Sequence, residues 1–272
     1  MKYLFLSPEH KDTISALKLD TPKNWMDFSV QDIVVDRTSE TRRLAPPAPL
    51  PGCYAKIYRY PTQKDQMRIL LRGGLLGRSR AKVEHDNLQQ LHAKGLAPKI
   101  IAFGQEQSHG LLSTSLLVVE EVTDALPMDS FASKTLPSLS TSQRKIFIKT
   151  LAEFTQKMNQ NRFVNSEYHW RNILVRQTDE TFFFQVIDPS SSRRRYKWIY
   201  PFFDLVTLDV CAPYFFSRTE RLRFFKLYEG CLTRPLTARQ KKKLRNITAL
   251  RQNVAKKELK RHRNILPAGN SF

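Results

Sequence analysis

Apolar residues in the first half of the chain follow strand-like patterns, either alternating with polar residues or forming short apolar runs. These patterns predict strands over residues 31–37, 53–60, 99–103 and 116–119. Residues 1–30 are predicted to form a short helical or irregular lead-in. One helix is predicted at 79–93, with Val83, Leu88 and Leu91 as its apolar face. The first half is therefore predicted to contain a small sheet and one helix.

In the second half, the apolar spacing becomes that of helices. The longest such segment, 140–159, begins at a capping Ser140 or Thr141. Its apolar positions are Ile146, Ile148, Leu151, Phe154 and Met158. Short apolar strands are predicted at 173–175 and 182–187, and the chain beyond Asp188 is predicted to be mostly helical. Strands followed by helices predict an α+β fold of two lobes, 1–121 and 122–272.

Composition predicts a folded protein without a membrane-spanning helix. The chain has 272 residues, of which 41% are hydrophobic, so it can bury sizeable cores. No apolar run approaches the roughly 18–20 residues that a spanning helix needs. The stretch 1–6 is too short for the apolar part of a signal peptide. The three cysteines are widely spaced, which favours reduced thiols, and we therefore expect a cytoplasmic protein.

The formal net charge is +20, and it is unevenly distributed. Residues 239–263 contain eleven Lys or Arg and one acid, Glu258, so half of the excess lies in this C-terminal segment. Such charge attracts nucleic acid, an anionic leaflet or a phosphorylated glycolipid. The apolar residues of the segment fall along one side of a helix: Leu244, Ile247, Leu250, Val254 and Leu259. This pattern fits a basic amphipathic helix on an anionic membrane, or equally a last helix packed on the second lobe.

The candidate chemistry lies around the two short strands of the second half. Asn172 follows Glu167 by five residues, and the strand at 182–187 leads directly into Asp188. Protein kinases carry H-R-D-x-x-x-x-N at this spacing, where the Asp takes the proton of the acceptor hydroxyl. The Asn of that motif and an Asp after the next strand hold metal ions. The order of residues therefore predicts metal binding by Asn172 and Asp188, and a catalytic base at Glu167, which is one methylene longer than Asp.

A phosphate-binding cation is predicted in the first half. Lys56 lies in the strand Tyr54-Ala55-Lys56-Ile57, which resembles the V-A-I-K strand that contacts ATP phosphates in kinases. Glu84, in the helix that follows, is placed to pair with Lys56. No G-x-G-x-x-G precedes the lysine, and residues 37–43 occupy the place of the loop that covers the phosphates.

The order of these motifs resembles that of the lipopolysaccharide core kinase family, the Kdo and heptose kinases that include InaA-type proteins. Besides the segments above, the resemblance rests on 84–91, 95–104, 115–122, 186–188, Lys197-Trp198, Asp204-Leu205 and 217–225. It implies a protein-kinase-like fold with a small antiparallel-sheet N-lobe and a helical C-lobe. It also implies ATP and Mg²⁺ as cofactors. The implied acceptor is a sugar hydroxyl of membrane-embedded lipopolysaccharide, reached by a peripheral protein from the cytoplasmic face of the inner membrane.

By position, the resemblance implies a role for each candidate residue. The lobe 1–121 binds the nucleotide, and the lobe 122–272 carries the catalytic and acceptor sites. The nucleotide-binding set is Lys56, Glu84, Glu120 and Val122, and the base and metal set is Glu167, Asn172 and Asp188. Just past Asp188, Arg193, Arg194 and Arg195 are expected to bind phosphates or carboxylates of the acceptor through bidentate guanidinium contacts.

Two departures from the family pattern leave two hypotheses open. Asn165 and Glu167 stand where the family usually has His and Asp. The first hypothesis is an active kinase of a core sugar. The second is a catalytically impaired protein of the same fold that binds a nucleotide or glycolipid. Nucleic acid is not expected as a partner, because no recognition motif accompanies the basic charge.

Overall fold

The computed structural model describes residues 2–67, 79–160, 168–189 and 200–261. The chain divides into two units, Met1–Thr123 and Asp124–Phe272. The described part of the first unit is built on a large sheet, and that of the second mainly on helices. The α+β prediction is therefore confirmed.

An antiparallel sheet of six strands forms the framework of the described part of the first unit. The strands are β1 (Lys2–Leu6), β2 (Ser29–Val35), β3 (Ser39–Leu44), β4 (Cys53–Arg59), β5 (Ile100–Ser108) and β6 (Leu111–Glu120). Their order across the sheet is β1-β5-β6-β4-β3-β2. β4 is therefore an inner strand, whose backbone is held by hydrogen bonds on both sides.

Side chains of β4 alternate between the two faces of the sheet. The helices of this unit include α1 (Lys11–Ala16), α2 (Pro22–Met26) and α3 (Arg80–His92). Ala55 and Ile57 belong to a core cluster that includes Trp25 of α2. Lys56 and Tyr58 face the other way and contact α3. The alternation of side chains along β4 thus places its core residues on one face of the sheet and its candidate functional residues on the other.

The helix α3 has clear start and stop signals. The Oγ of Ser79 accepts a hydrogen bond from the backbone N–H of Lys82 (3.0 Å), which caps the first turn. Of the predicted apolar face, Leu88 and Leu91 are buried and Val83 is half-buried. After the helix, Gly95 has a φ of +70°, a left-handed conformation that glycine adopts without strain and that commonly ends helices.

The second unit combines a small antiparallel sheet with helices. In the described residues its strands are β7 (Ala125–Pro127), β8 (Ile173–Gln177) and β9 (Phe182–Val186), in the order β7-β8-β9. The helices are α4 (Met128–Lys134), α5 (Thr141–Gln160), α6 (Tyr200–Asp209), α7 (Ala212–Phe215), α8 (Arg218–Tyr228) and α9 (Ala238–Arg261). Phe147 of α5 packs on Phe182 and Phe184 of β9, with ring centroids 5.1 and 5.3 Å away. This aromatic cluster fixes the long helix against the sheet.

The apolar side of α9 is packed inside the second unit. Ile247 is 4% exposed and shares a core cluster with Leu205, Val206 and Phe225. Arg251 donates a hydrogen bond to Asp209 at the end of α6 (2.8 Å). The apolar residues Leu244, Ile247, Leu250 and Val254 are therefore used for packing within the protein.

Two predictions about the first unit are wrong in part. Residues 1–30, predicted to be helical or irregular, do contain the helices α1 and α2, but they begin with the strand β1, which pairs with β5. Residues 37–43, placed in a phosphate-covering loop, lie mostly in β3, and the turn that joins β2 to β3 is only residues 36–38. No helix in the described ranges is both long enough and apolar enough to cross a membrane.

Candidate active site

Lys56 and Glu84 form an ion pair in the first unit, in which Glu84 is buried and Lys56 is partly exposed. The Nζ of Lys56 lies 2.7 Å from Oε1 of Glu84, and Glu84 is 1% exposed. The hydroxyl of Tyr58 donates a hydrogen bond to Oε2 of the same carboxylate (2.6 Å). Sequence reasoning missed Tyr58, although its position two residues after Lys56 puts it on the same face of a strand.

The neighbours of Glu84 on α3 are held against the sheet. The ring of His85 packs between Phe5 and Phe103, with centroids 5.2 and 4.8 Å away. Burial lowers the pKa of His85, against the opposing effect of a hydrogen bond with Asp86. Burial works to raise the pKa of Asp86, but hydrogen bonds from Lys82 and His85 outweigh it and lower that pKa. The aromatic contacts therefore hold the helix that carries Glu84 against the sheet, and the polar contacts lie within the helix.

The arginines near the β2–β3 turn are engaged in ion pairs. Glu40 is 4% exposed and pairs with both Arg42 and Arg59. Arg42 also pairs with Asp32 (3.1 Å). These contacts join β2, β3 and β4, which gives the arginines a structural role in the sheet.

The segment after β6 is tied to the strands beside it. The backbone N–H of Glu121 donates to the carbonyl of Gly52 (2.8 Å), and Arg43 Nε lies 2.9 Å from a carboxylate oxygen of Glu121. A Cβ on Gly52 would lie 2.7 Å from Oε2 of Glu121, so this close approach suits glycine. Glu120 and Val122 are half-buried on either side of Glu121. Their part in nucleotide binding stays a prediction.

In the second unit, the chain that follows the predicted base is anchored in the core. Tyr168 and Trp170 are each 1% exposed. The hydroxyl of Tyr168 lies 3.0 Å from Oγ1 of Thr155, and burial raises the pKa of this tyrosine. Trp170 Nε1 donates a hydrogen bond to the carbonyl of Leu208 (2.7 Å). The segment that leads to Asn172 therefore has a fixed position.

Asn172 and Asp188 lie at the same end of the β8–β9 hairpin. Ile173 is opposite Val186, and the N–H of Ile187 donates to the carbonyl of Asn172 (2.8 Å). Asp188 has a φ of +54°, in the left-handed region that few residues other than glycine, Asn and Asp adopt. Such backbone strain concentrates at functional sites, where the surroundings fix it.

Asn172 and Asp188 have the chemistry expected of magnesium ligands. An amide oxygen and a carboxylate are hard donors, and Mg²⁺ is usually bound by one or two carboxylates together with substrate phosphates and water. In the described ranges no group of three or more His, Cys, Asp or Glu is arranged to hold a metal. The donor types of the pair are those of kinase magnesium sites, an uncharged oxygen and a carboxylate.

Four candidates lie outside the described residues: Glu167, Arg193, Arg194 and Arg195. Lys56 and Glu84 meet in the first unit, and Asn172 and Asp188 lie together in the second. The catalytic, cofactor and acceptor roles of all these residues stay predictions.

A cavity of about 370 Å³ lies within the second unit. Its lining is mainly apolar and includes Leu205, Leu208, Phe216, Leu222, Leu244 and Ile247. Asp209 and Arg221 also line the cavity, and Nη1 of Arg221 lies 3.5 Å from Oδ1 of Asp209. Burial raises the pKa of Asp209, although Arg251 and Arg221 act to lower it. The buried Nε of Arg221 has no hydrogen-bond partner in the described part of the chain.

Comparison with solved structures identifies the class of fold. A structure of WaaP in complex with acyl carrier protein matches with a TM-score of 0.63 and 18% sequence identity. The match covers 94% of this chain and 99% of that one. At this identity the likeness shows the fold alone, and the predicted protein-kinase-like fold is confirmed. A sequence search of curated proteins finds no match.

The particular family follows from the sequence. The model of the lipopolysaccharide kinase (Kdo/WaaP) family matches residues 39–205, which is more than half of the chain. The chain therefore belongs to this family, a family of phosphotransferases, as its resemblance implied. The matched region contains all of the candidate site residues, whereas the basic segment 239–263 lies beyond it.

Proposed function

We propose that the chain is an ATP- and Mg²⁺-dependent kinase that phosphorylates a Kdo or heptose hydroxyl of the lipopolysaccharide inner core. Membership of the lipopolysaccharide kinase family supports the acceptor class. The observation that carries the proposal is the ion pair between Lys56 of β4 and the buried Glu84 of α3. Kinases use such a pair to position ATP phosphates.

Each proposed residue has a role in positioning or charge compensation, which phosphoryl transfer requires most. Lys56, oriented by Glu84, binds phosphate oxygens, and Glu120 and Val122 contact the nucleotide. Glu167 accepts the proton of the sugar hydroxyl. Asn172 and Asp188 would hold Mg²⁺, which neutralises phosphate charge when bound. The guanidinium groups of Arg193, Arg194 and Arg195 bind anionic groups of the acceptor.

The test is phosphate transfer from labelled ATP to lipopolysaccharide whose core sugars lack phosphate. We expect Mg²⁺-dependent transfer by the wild type, and none by Lys56→Met. Lys64→Met is a matched control, because Lys64 is an exposed lysine outside the proposed site. Mass analysis of the product identifies the sugar. Transfer by Lys56→Met at the wild-type rate would contradict the proposal.

The same assay decides the alternative hypothesis of a binding protein that does not transfer phosphate. The observation that favours this alternative is Glu167 in place of the usual Asp. A wild type that binds Mg·ATP but transfers phosphate at the background rate would support it.

We further propose that the protein works on the cytoplasmic face of the inner membrane and docks there through the polar side of α9. The exposed basic side chains on this side include those of Arg239, Lys241, Lys242 and Arg245. By contrast, Lys243 and Arg251 pair with acids of the same unit, Glu229 at 2.7 Å and Asp209 at 2.8 Å. Because the apolar side is packed, docking depends on charge, at about 1 kcal/mol for each basic residue near an anionic leaflet.

Vesicle binding tests this docking. One variant replaces four residues by glutamate: Arg239, Lys241, Lys242 and Arg245. It should no longer bind anionic vesicles, while its melting temperature stays nearly unchanged. The matched control changes the net charge equally, because it replaces four exposed lysines of the first unit by glutamate: Lys11, Lys18, Lys23 and Lys64. Salt should weaken binding of the wild type, because the Debye length falls from about 10 Å at 0.1 M to about 3 Å at 1 M. Equal release by both variants would contradict a specific role for α9.

An acyl carrier protein is a second candidate partner, since the matching WaaP structure contains one. The observation in this chain that favours it is the apolar cavity of the second unit, which suits an aliphatic chain. Calorimetry with acylated and unacylated carrier protein tests the idea. Leu222→Trp, at the lining of the cavity, should weaken binding of the acylated form. Leu232→Trp is the control, because both leucines are 40% exposed and Leu232 is not part of the lining.

A further inference from the structure

Both carboxylate oxygens of Glu84 are held by donors from one strand. Lys56 Nζ is 2.7 Å from Oε1, and the hydroxyl of Tyr58 is 2.6 Å from Oε2. The two donors are two residues apart on β4, so the pleat directs both toward α3. Glu84 is 1% and Tyr58 8% exposed, so bulk water is excluded from the contact between them.

The two donors act on Glu84 in different ways. A buried carboxylate needs both a counter-charge and hydrogen bonds. Lys56 supplies the charge, and Tyr58 supplies a neutral O–H at the short distance typical of a hydroxyl that donates to a carboxylate. Because the phenol is neutral, it fixes the direction of the carboxylate without introducing a second cation. The oxygen that faces Lys56 is thereby held in one orientation.

The main chain around Glu84 is fixed by contacts that do not involve Tyr58. His85 packs between Phe5 and Phe103, and Ser79 Oγ accepts a hydrogen bond from Gln105 Nε2 (2.9 Å). These contacts hold α3 on β1 and β5. The hydrogen bond from Tyr58 therefore acts on the Glu84 side chain rather than on the position of the helix.

We propose that Tyr58 is a positioning residue for phosphoryl transfer, which holds Glu84 in the orientation that directs Lys56 to the ATP phosphates. The proposal rests on the proposed function of the Lys56–Glu84 pair. It implies that the pair is assembled before the nucleotide binds, because one strand and one helix of the same unit set its geometry.

The variant Tyr58→Phe tests the proposal, since it removes the hydroxyl and keeps the ring. We expect the Kd and KM for Mg·ATP to rise about tenfold, because a misdirected cation binds phosphate less well. The KM for lipopolysaccharide should not change. Tyr60→Phe is the matched control: Tyr60 is also buried, at 7% exposure, and follows the same strand.

A double-variant cycle separates positioning from packing. If Tyr58 acts through Glu84, adding Tyr58→Phe to Glu84→Gln should raise the Kd for Mg·ATP less than about twofold. If the effects of Tyr58→Phe and Glu84→Gln on the Kd were fully additive, the proposal would be overturned. A Tyr58→Phe variant with a lowered melting temperature but unchanged ATP affinity would also overturn it. Unchanged affinity in Tyr58→Phe, beside a wild type that binds Mg·ATP, would overturn this proposal alone. A wild type that binds no Mg·ATP would overturn the proposed function, and this inference with it.

Discussion

In the first unit, Lys56 and Glu84 are held by side-chain contacts, whereas in the second unit the main chain of a hairpin positions Asn172 and Asp188. Glu84 accepts hydrogen bonds from Lys56 and from Tyr58. Asn172 is joined to Ile187 through a backbone hydrogen bond, and Asp188 takes a left-handed conformation. Substitutions should therefore have different consequences in the two regions. In the first unit they should change geometry and stability together, and in the second they should change chemistry while the fold persists.

The largest expected effect is that of Asp188→Asn on activity. Asn keeps the size of the side chain and tolerates a positive φ, but it removes the charge that would hold Mg²⁺. We expect Mg²⁺-dependent turnover to fall to background, and the free energy of unfolding to change by less than about 1 kcal/mol. Calorimetry with Mg·ATP and urea unfolding measure the two quantities.

Asp188→Gly separates the effect of backbone conformation from the effect of the carboxylate, because glycine adopts the left-handed conformation without strain. This variant should lose activity as fully as Asp188→Asn. Asn172→Ala should lose less, since it removes a neutral ligand. Unchanged Mg²⁺-dependent affinity for ATP in Asp188→Asn would refute the metal assignment.

The next effect concerns Glu167, the predicted base. If the chain is an active kinase, Glu167→Gln should lower kcat by roughly 10²–10⁴, the usual contribution of a positioned base. ATP binding should stay close to normal, and Glu167→Asp should keep or raise the activity because it restores the residue type that this spacing suits. Phosphate transfer by the three proteins measures this, and full activity of Glu167→Gln would remove the assignment.

Much of the fold could be predicted because local periodicity is strong in the elements that build the cores. β4 was predicted at 53–60 and is found at Cys53–Arg59. The helices predicted at 79–93 and 140–159 are found at Arg80–His92 and Thr141–Gln160. In the two helices the capping residue and most of the predicted apolar face agree with the structure, although Val83 and Ile146 are only half-buried.

The elements that sequence reasoning missed depend on distant partners. β1 is an edge strand that forms only by pairing with β5, across most of the first unit. β3 has little apolar alternation, because its buried Glu40 is compensated by Arg42 and Arg59 rather than by apolar neighbours. A polar strand of this kind has the local pattern of a loop.

The candidate site shows the same limit. The spacing around Asn172 and Asp188 is local, so the sequence could point to it. The partner of Lys56 could be suggested from the family pattern, but Tyr58 could not be assigned without the position of α3. The hydrogen bond to Glu84 joins residues 26 positions apart in sequence, and no local pattern encodes it.

A third prediction contrasts stability in the two regions. Lys56→Met leaves Glu84 without its cation in a buried site, whereas Asp188→Asn leaves a neutral side chain at a half-buried one. We expect Lys56→Met to lower the free energy of unfolding by about 2–3 kcal/mol. Adding Glu84→Gln should recover part of the loss, because the buried charge is removed as well. Urea unfolding of the three variants measures this, and equal stability of Lys56→Met and wild type would show that side-chain contacts do not hold the first unit as inferred.

The smallest effect is a pH dependence of stability from His85, next to Glu84 on α3. Burial lowers the pKa of His85 in the folded state, and its Nε2 is buried with no hydrogen-bond partner in the described ranges. Below the unfolded pKa of about 6.5, the unfolded chain binds a proton that the folded chain does not. The contribution of His85 to stability should therefore be complete above that pH and should be lost as the pH falls through the folded pKa.

The slope of the free energy of unfolding against pH is at most about 1.4 kcal/mol per pH unit, the value for one proton. His85→Phe should flatten the slope below about pH 6.5 and keep the packing against Phe5 and Phe103, while the exposed control His109→Phe should keep the wild-type slope. A slope unchanged in His85→Phe would mean that another group limits the acid stability of the first unit. Asp86, whose pKa is lowered, would contribute only at more acidic pH, because its stabilisation is lost as the pH falls below the usual carboxylate range.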